Sequence, residues 1–281
     1  MKKIIALILA MVMALSLVAC GQTAQDDKSK DDANSTSAKT FIMGIDAEYP
    51  PFSYLDADGK KQVCTEYTVL ESFTAGSILD LENKWYELPA GWYVVEGDVT
   101  ITPRLDTHGA VNLILTDDCH LTVPWGINVK EGDTFTIYAQ STAEASMGKL
   151  TACLPELSDH EKSVWPVAGL SGIGAGVRVW AANDNYYENE GTIIINGGNI
   201  HARGQQGSSA IGGSYQDRNV SSDGDTPGNL RQGGSITING GTVKASSEGD
   251  GFGIGGAGVH HTAEMHITIN GGNICLLYTS P

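Results

Sequence analysis

The residues best suited to binding a ligand lie close together, within residues 180–187. This segment contains Trp180, Asn183, Asp184, Tyr186 and Tyr187. Aromatic ring faces beside amides and a carboxylate suit sugar rings, which need an apolar platform together with fixed hydrogen bonds. We therefore predict a carbohydrate-binding site in this segment. The alternative is that Trp180 packs over an edge of the fold and the tyrosines cover it.

The acidic residues of the C-terminal half give less support to catalysis. A calcium-dependent lyase needs several carboxylates that converge on the ion, and a basic residue that accepts a proton. The available charged residues are Asp184, Asp217, Asp223, Asp225, Asp250, Arg178, Arg203 and Arg218. No two of these acids recur at the spacing of the repeat described below. We therefore assign no catalytic residue and favour a noncatalytic protein.

Two segments are candidates for a metal site. Asp223 and Asp225 lie in a loop rich in oxygen ligands, but the loop lacks the longer alternation of acids and the terminal Glu of a calcium loop. His260 and His261, with His266 nearby, form the second candidate, but adjacent residues on a strand face opposite sides. We expect no cofactor, with calcium at Asp223 and Asp225 as the alternative.

The elements that position these residues come from a repeat. Three segments, 191–200, 234–243 and 265–274, share an alternating apolar pattern followed by Asn-Gly-Gly. The asparagines of this motif are 43 and 31 residues apart. An Ile-Gly-Gly element at Ile211 recurs at Ile254. Self-similarity of this kind indicates a repeat fold, and the unequal intervals place an insertion within residues 214–233.

Each repeat has the pattern of short strands joined at glycine corners. Ile236 and Ile238 alternate with Thr237, which is the period of a half-buried strand. After the corner, Val243 and Ala245 are expected to point inward while Lys244 points outward. Glycine suits the corners because a positive φ costs little without a Cβ atom. Three short strands per repeat predict a parallel β-helix, with strands stacked about 4.8 Å apart.

The asparagines of the repeat have a predicted structural role. Asn196, Asn239 and Asn270 occupy the same place in successive repeats. In a stack of strands such residues lie above one another, so their side-chain amides can form a ladder. Contact with a ligand is the alternative.

Strands of the same kind continue upstream of the repeat. We predict them at residues 92–95, 99–101, 111–115, 121–123, 127–129, 135–137 and 149–152. Of the 35 glycines, 25 lie between Gly169 and Gly272. This glycine content argues against long helices in residues 169–272, because glycine costs about 1 kcal/mol per helical position relative to alanine.

Residues 65–274 resemble the glycine-rich β-helix repeat regions of surface proteins from gut bacteria. They resemble the pectin-lyase-like and carbohydrate-binding β-helices more distantly. The resemblance implies an all-β, right-handed parallel β-helix, or solenoid. It implies no particular chemistry, because β-helices include lyases, hydrolases, adhesins and inert stalks.

The N-terminus has the features of a secretory signal. Lys2 and Lys3 precede an apolar run over residues 4–18, and a small residue stands before Cys20. Residues 17–20 resemble the lipobox of bacterial lipoproteins, which implies cleavage before Cys20 and lipidation of its sulfur. A transmembrane anchor is the alternative, at the short limit of a span of about 20 residues. We expect export and attachment to the outer face of the cell membrane by lipid.

Residues 40–60 resemble the first strand and following turn of the amino-acid-binding proteins of ABC importers. The resemblance implies a solute-binding role for Tyr49 and Phe52, because Tyr49 holds the place of an aromatic residue that lines the ligand cleft. The glycine-phenylalanine-aspartate step and the amphipathic helix that follow in that family are missing. No later segment supplies the alternating strands and helices of a two-lobed binding protein.

The charge and the cysteines narrow the classes of partner. Thirty-three acidic residues against 17 basic ones give a net charge of −16, which excludes most nucleic-acid binders because these need a basic face. Cys64, Cys119, Cys153 and Cys275 show neither a Cys-x-x-Cys motif nor the spacing of a metal site. We expect them to be isolated thiols that are buried as small hydrophobic residues.

The C-terminal tail differs from the repeat before it. Residues 275–281 contain no further Ile-Gly-Gly element and no polar capping repeat, and they resemble translated sequencing-adapter sequence. An open solenoid end exposes unpaired backbone groups. Together with the abrupt change of pattern at residues 60–64, the tail suggests a truncated reading frame, and a chimeric one.

These observations predict five segments. They are a lipoprotein signal peptide (1–20), a flexible, disordered linker (21–39), a fragment like a solute-binding protein (40–63), a β-helix (64–274) and a non-native tail (275–281). The predicted function is that of a lipid-anchored cell-surface protein whose β-helix binds or adheres to a polysaccharide or glycan. One alternative is the substrate-binding lipoprotein of an amino-acid ABC transporter, and another is a polysaccharide lyase or hydrolase. The sequence leaves the oligomeric state open.

Overall fold

The computed structural model describes residues 51–74, 85–155, 170–175, 177–181, 184–187, 190–205, 207–214, 234–249, 251–256 and 265–278. The chain divides into two compact units, Met1–Glu48 and Tyr49–Pro281. All described residues belong to the second unit. The predicted signal peptide, with Cys20, and the predicted linker lie outside the described residues.

The described part is built of strands and contains no helix. Three parallel sheets hold most of the strands. Sheet A contains β3 (Thr68–Val69), β5 (Gly91–Val95), β8 (Ala110–Leu115), β11 (Thr134–Ala139), β16 (Thr192–Ile195), β19 (Ser235–Ile238) and β22 (His266–Ile269). Sheet B contains β6 (Asp98–Thr100), β9 (His120–Thr122), β12 (Lys149–Cys153), β17 (Asn199–Gly204), β20 (Thr242–Ser247) and β23 (Asn273–Tyr278). Sheet C contains β4 (Tyr86–Leu88), β7 (Leu105–Thr107), β10 (Ile127–Asn128), β13 (Ile173–Gly174), β18 (Ile211–Gly212) and β21 (Ile254–Gly255).

Two antiparallel hairpins accompany these sheets. The first joins β1 (Phe52–Leu55) to β2 (Lys61–Cys64). The second joins β14 (Val177–Ala181) to β15 (Asp184–Tyr187) and is inserted between strands of sheets C and A.

The order of the strands follows one rule. From β4 onwards, successive strands fall in sheets C, A and B in turn, and the inserted hairpin is the one departure among the described strands. Each strand pairs in parallel with its counterpart in the next set of three. The predicted all-β class is confirmed, and the long parallel sheets are compatible with a parallel β-helix.

Inward-facing rows of aliphatic side chains form one core. In sheet C, Ile127, Ile173 and Ile211 share a register position, and each is 0% exposed. Leu150 and Ile200 form part of the corresponding row of sheet B. Because neighbouring strands lie about 4.8 Å apart, each row is a continuous column of packed side chains. Removal of these columns from water is the main force that stabilises the fold.

The predicted asparagine ladder is present. Asn239 Nδ2 donates to Asn196 Oδ1 at 2.7 Å, and Asn270 Nδ2 donates to Asn239 Oδ1 at 2.7 Å. The predicted alternation after the corner is confirmed as well, because Val243 and Ala245 are buried and the residue between them is exposed. The intervals of 43 and 31 residues are therefore true structural repeats.

Glycine is required on the outward side of sheet C. Gly174 has φ +146° and Gly212 has φ +119°, which are backbone conformations that other residues rarely adopt. A Cβ atom on Gly174 would collide with the carbonyl oxygen of Gly212, and one on Gly212 with that of Gly255. In each Ile-Gly step the isoleucine side chain points into the core, and the glycine that follows lets the backbones of neighbouring strands approach closely.

The seven upstream strands predicted from the sequence are all present, and their ends agree to within two residues. β3, β4 and β7 were not predicted. They are two or three residues long, and β4 and β7 carry the acidic residues Glu87 and Asp106 at their centres, where the apolar pattern is interrupted.

The prediction for the cysteines is correct in part. All four in the described region are free thiols, and Cys64 and Cys119 are buried. Burial raises the pKa of the half-buried Cys153 thiol to about 11, so it stays protonated at neutral pH. For Cys275 the prediction is wrong. This residue is exposed because it takes the outward position opposite Lys244, on the last described strand of sheet B.

Candidate functional site

Four of the five predicted sugar-binding residues lie on the inserted hairpin. Trp180 belongs to β14, whereas Asp184, Tyr186 and Tyr187 belong to β15. Asn183 lies outside the described residues. In the described part of the chain, the hairpin forms a two-stranded sheet of its own and joins none of the three parallel sheets.

The register of the hairpin is interrupted at Trp180. Val179 is opposite Asn185 and Ala181 is opposite Asp184, so the pairing shifts between Val179 and Ala181. A shift of this kind inserts an extra residue into one strand and locally bends it. Bulges often re-aim a side chain next to a binding site.

The other predicted site residues are largely outside the described region. This applies to the lipidation residue Cys20, to Tyr49 of the solute-binding resemblance and to Asp223 and Asp225 of the calcium candidate, as well as to His260 and His261. Phe52 is described and begins β1. Its half-buried ring packs edge-on against Tyr67, with 4.9 Å between the ring centroids.

Phe52 belongs to an aromatic cluster where the first hairpin meets the outer face of sheet A. The other members are Tyr54, Tyr67, Trp92 and Tyr138. Tyr54 lies 4.9 Å from Trp92 and 4.6 Å from Tyr138, measured between ring centroids, and Trp92 stacks on Tyr138 at 5.2 Å. Burial raises the pKa of Tyr54 and of Tyr138, so both phenols stay protonated at neutral pH. The rings are thus largely used in packing against each other.

A polar cluster that the sequence analysis did not identify lies at the end of the sheet C strands. It consists of Asp106, Thr107, His108, Lys130 and Asp133. Asp106 on β7 is in register with Asn128 on β10. His108 and Lys130 each follow two residues later, so they take matching positions on the two neighbouring segments. The side chain of Asp106 is 1% exposed and that of Asp133 is 8% exposed.

Lys130 links the members of this cluster. Its Nζ donates to Asp106 Oδ1 at 3.2 Å and to the Thr107 carbonyl oxygen at 3.2 Å, and it lies 3.6 Å from Asp133 Oδ2. It also lies 3.4 Å from His108 Nδ1. An ammonium group can only donate, so Nδ1 accepts and the imidazole proton is assigned to Nε2. His108 Nε2 lies 3.2 Å from Asp106 Oδ2, which is ion-pair distance without the angle of a hydrogen bond.

The cluster has limited catalytic capacity. A histidine beside a buried carboxylate resembles the geometry of a general base. However, Lys130 contacts the nitrogen that would accept the proton, and its single positive charge offsets one of the two carboxylate charges. Among the residues that the structure describes, no group of three or more His, Cys, Asp or Glu is placed to hold a metal ion. The sequence signal was a recurring order of residues, in which an apolar residue is followed at once by a polar one and three places on by a basic one, at 105–108 and at 127–130.

Arg104 stabilises the neighbouring backbone. It is 1% exposed. Nη1 donates to the carbonyl oxygens of Trp125 at 2.7 Å and Ser171 at 3.0 Å, and Nη2 to those of Ile127 at 3.3 Å and Gly174 at 3.1 Å. One guanidinium thus connects two successive strands of sheet C, and its hydrogen bonds satisfy carbonyls that are costly to bury unpaired.

The outward face of sheet B is polar. One row of side chains runs across neighbouring strands through Thr100, Thr122, Thr151, His201 and Lys244. All five are half-buried or exposed. Neighbours in the row lie about 4.8 Å apart, so the face offers hydroxyl, imidazole and ammonium groups at a regular spacing.

Comparisons with family models, with curated proteins and with solved structures found no match to this chain. Within the described ranges, no helix has the length and apolar character needed to cross a membrane.

Proposed function

We propose that the chain is a right-handed parallel β-helix that acts as a noncatalytic binding or adhesion module for carbohydrate, held at the outer face of the cell membrane by a lipid on Cys20. Support for the β-helix comes from the rotation of successive strands through three parallel sheets. Support for the lipid anchor comes from the lipobox-like residues 17–20.

The observation that carries the binding function is the position of the β14–β15 hairpin. Trp180, Tyr186 and Tyr187 lie on an insertion outside the three parallel sheets. Binding residues occur disproportionately on segments that a rigid scaffold holds in place. Aromatic rings beside Asp184 have the composition of a site that stacks on a sugar ring and orients its hydroxyl groups.

A glycan array with the full chain tests this proposal. We expect binding to at least one neutral glycan, and a loss of affinity of tenfold or more for Trp180→Ala and for Tyr187→Ala. The matched control is Phe252→Ala, which removes an aromatic ring that is 50% exposed at another place and should leave the affinity unchanged.

Two outcomes would contradict the proposal. If no glycan binds, the carbohydrate function is wrong. If a glycan binds and both hairpin variants keep full affinity, the site lies elsewhere. Micromolar binding of an amino acid by the same protein would instead favour a solute-binding lipoprotein.

A further inference from the structure

The basic residues of the parallel sheets are unevenly distributed. In the described strands, every lysine and arginine of the three sheets lies in sheet B, as Lys149, Arg203 and Lys244. The strands of sheet A contain no lysine or arginine, and the charged residues of the sheet C strands are Glu87 and Asp106. On a chain with a net charge of −16, the lysines and arginines of the sheet strands thus share one face, whereas Arg104 and Lys130 beside the strands of sheet C are held by carbonyl oxygens and carboxylates.

Together with two histidines, these residues form a basic stripe across four neighbouring strands. The basic stripe consists of His120 on β9, Lys149 on β12, His201 and Arg203 on β17, and Lys244 on β20. His120 is in register with Lys149, and His201 is in register with Lys244. Residues in register on adjacent strands lie about 4.8 Å apart, and outward residues of one strand about 7 Å apart.

Acidic residues lie beside two members of the stripe. Asp98 on β6 is in register with His120. Arg203 on β17 forms an ion pair with Glu248. The charge that remains to interact with a ligand is therefore that of Lys149 on β12 and Lys244 on β20.

The two lysines of the stripe have no acidic partner among the residues that the structure describes. Lys149 and Lys244 are exposed, and neither forms an ion pair with another described residue. Between them, burial and the positive charges of Lys244 and Arg203 lower the pKa of His201. His201 thus lies within electrostatic reach of Lys244 and Arg203, and the positive charge that this face offers to an anion is that of the two exposed lysines.

We propose that the outward face of sheet B binds an anionic polysaccharide, whose sulfate or carboxylate groups pair with Lys149 and Lys244. Hydroxyl groups of the polymer would hydrogen-bond to Thr122 and Asn199, which lie beside the cations on the same face. The Thr151 hydroxyl already pairs with His120 Nε2 at 2.8 Å. The polymer would run across the strands, so that successive charged groups meet successive strands. This surface is distinct from the β14–β15 hairpin, and the proposal rests on the proposed function only in taking a polysaccharide as the ligand.

The composition of the face favours a polysaccharide over a nucleic acid. Proteins that bind single strands stack the bases on aromatic side chains. The outward positions described in sheet B carry threonine, asparagine, serine and cysteine around the cations, and no Phe, Tyr or Trp. Hydroxyl and amide groups are instead suited to a ligand rich in hydroxyl groups.

Matched polymers with and without charge test the proposal. We would measure binding of the full chain to dextran sulfate, hyaluronate and uncharged dextran at low and at physiological salt. Binding to one or both anionic polymers is expected, weaker at the higher salt because the ion pairs are exposed. The anionic polymer that binds identifies whether sulfate or carboxylate is preferred. The double variant Lys149→Gln/Lys244→Gln should bind about tenfold more weakly, which is the size expected for two exposed ion pairs.

Two variants serve as controls. Lys60→Gln/Lys61→Gln removes the same charge from the β1–β2 hairpin and should bind like the unmodified protein. Lys149→Arg/Lys244→Arg keeps the charge and should retain binding. The melting temperature of each variant would verify that it is folded.

Several outcomes would overturn the proposal. One is that neither anionic polymer binds at low salt. Another is that Lys60→Gln/Lys61→Gln loses as much affinity as Lys149→Gln/Lys244→Gln. A third is that single-stranded DNA binds more tightly than the anionic polysaccharides. A failure here with intact binding of neutral glycans by the hairpin would leave the proposed function standing. If the anionic polymers bind as expected but no neutral glycan binds to the hairpin, the proposed function is wrong and the proposal for the basic stripe is still supported.

Discussion

The outer faces of sheets C and B use the same strand arrangement in opposite ways. On sheet C, Asp106 and Asn128 are 0% exposed, and the next strands place glycines at the same register position. On sheet B, by contrast, Lys149 on β12 and Lys244 on β20 are exposed. Side chains on sheet C therefore maintain the fold, whereas the two lysines on sheet B are exposed. The comparison shows that one repeat can bury polar groups on one side and present charged groups on another.

The largest expected effect concerns the glycines of sheet C. Gly174→Ala should lower the free energy of unfolding by at least about 3 kcal/mol, because φ is +146° and the added Cβ would collide with the Gly212 carbonyl oxygen. Gly256→Ala is the control, since a Cβ there has no atom within 4 Å. Chemical denaturation of both variants measures the difference. Equal losses would mean that the close approach of backbones is not what requires glycine.

Arg104 gives the next largest difference between the two faces. Arg104→Met should cost about 3 kcal/mol, because four carbonyl oxygens that now accept from its guanidinium would lose a charged donor. Lys149→Met on sheet B is the matched substitution and should change stability by no more than about 0.5 kcal/mol. Thermal unfolding of the two variants tests this. A small effect at Arg104 would refute its role as a link between strands.

The asparagine ladder should show an effect of intermediate size. Asn239 both donates to and accepts from its neighbours, so Asn239→Ala should cost about 1–3 kcal/mol. Asn270→Ala breaks one of these bonds at an exposed position and should cost less than Asn239→Ala. If the two costs are equal in urea denaturation, the ladder does not act as a connected chain of amides.

The smallest expected effect is on the pH dependence of stability. The pKa of His201 is lowered by burial first, and then by Lys244 and Arg203. Below the ordinary histidine value of 6.5, the unfolded chain therefore binds a proton more readily than the folded one, and stability falls as the pH is lowered. His201→Gln should reduce this loss between pH 7 and pH 5. An unchanged slope in denaturation measured over this range would contradict the assignment.

Much of the fold could be predicted because the pattern is local. Alternation of isoleucine and threonine, followed by Asn-Gly-Gly, located β16, β19 and β22 together with the ladder that joins them. The polar cluster could not be found in this way. Asp106 and Lys130 come together only when β7 and β10 lie side by side, and no local feature of the sequence shows that pairing. The basic stripe was missed for the same reason, since its members are spread over more than a hundred residues of sequence.

By itself, the sequence determined the all-β class, the repeat and its intervals, and the corners that need glycine, because these depend on interactions between near neighbours in the chain. The tertiary structure decided which outward side chains share a face. That depends on the register between strands, which in turn depends on the lengths of the loops that separate them. Lys149 and Lys244 lie on one face only because the chain between them returns in register to sheet B.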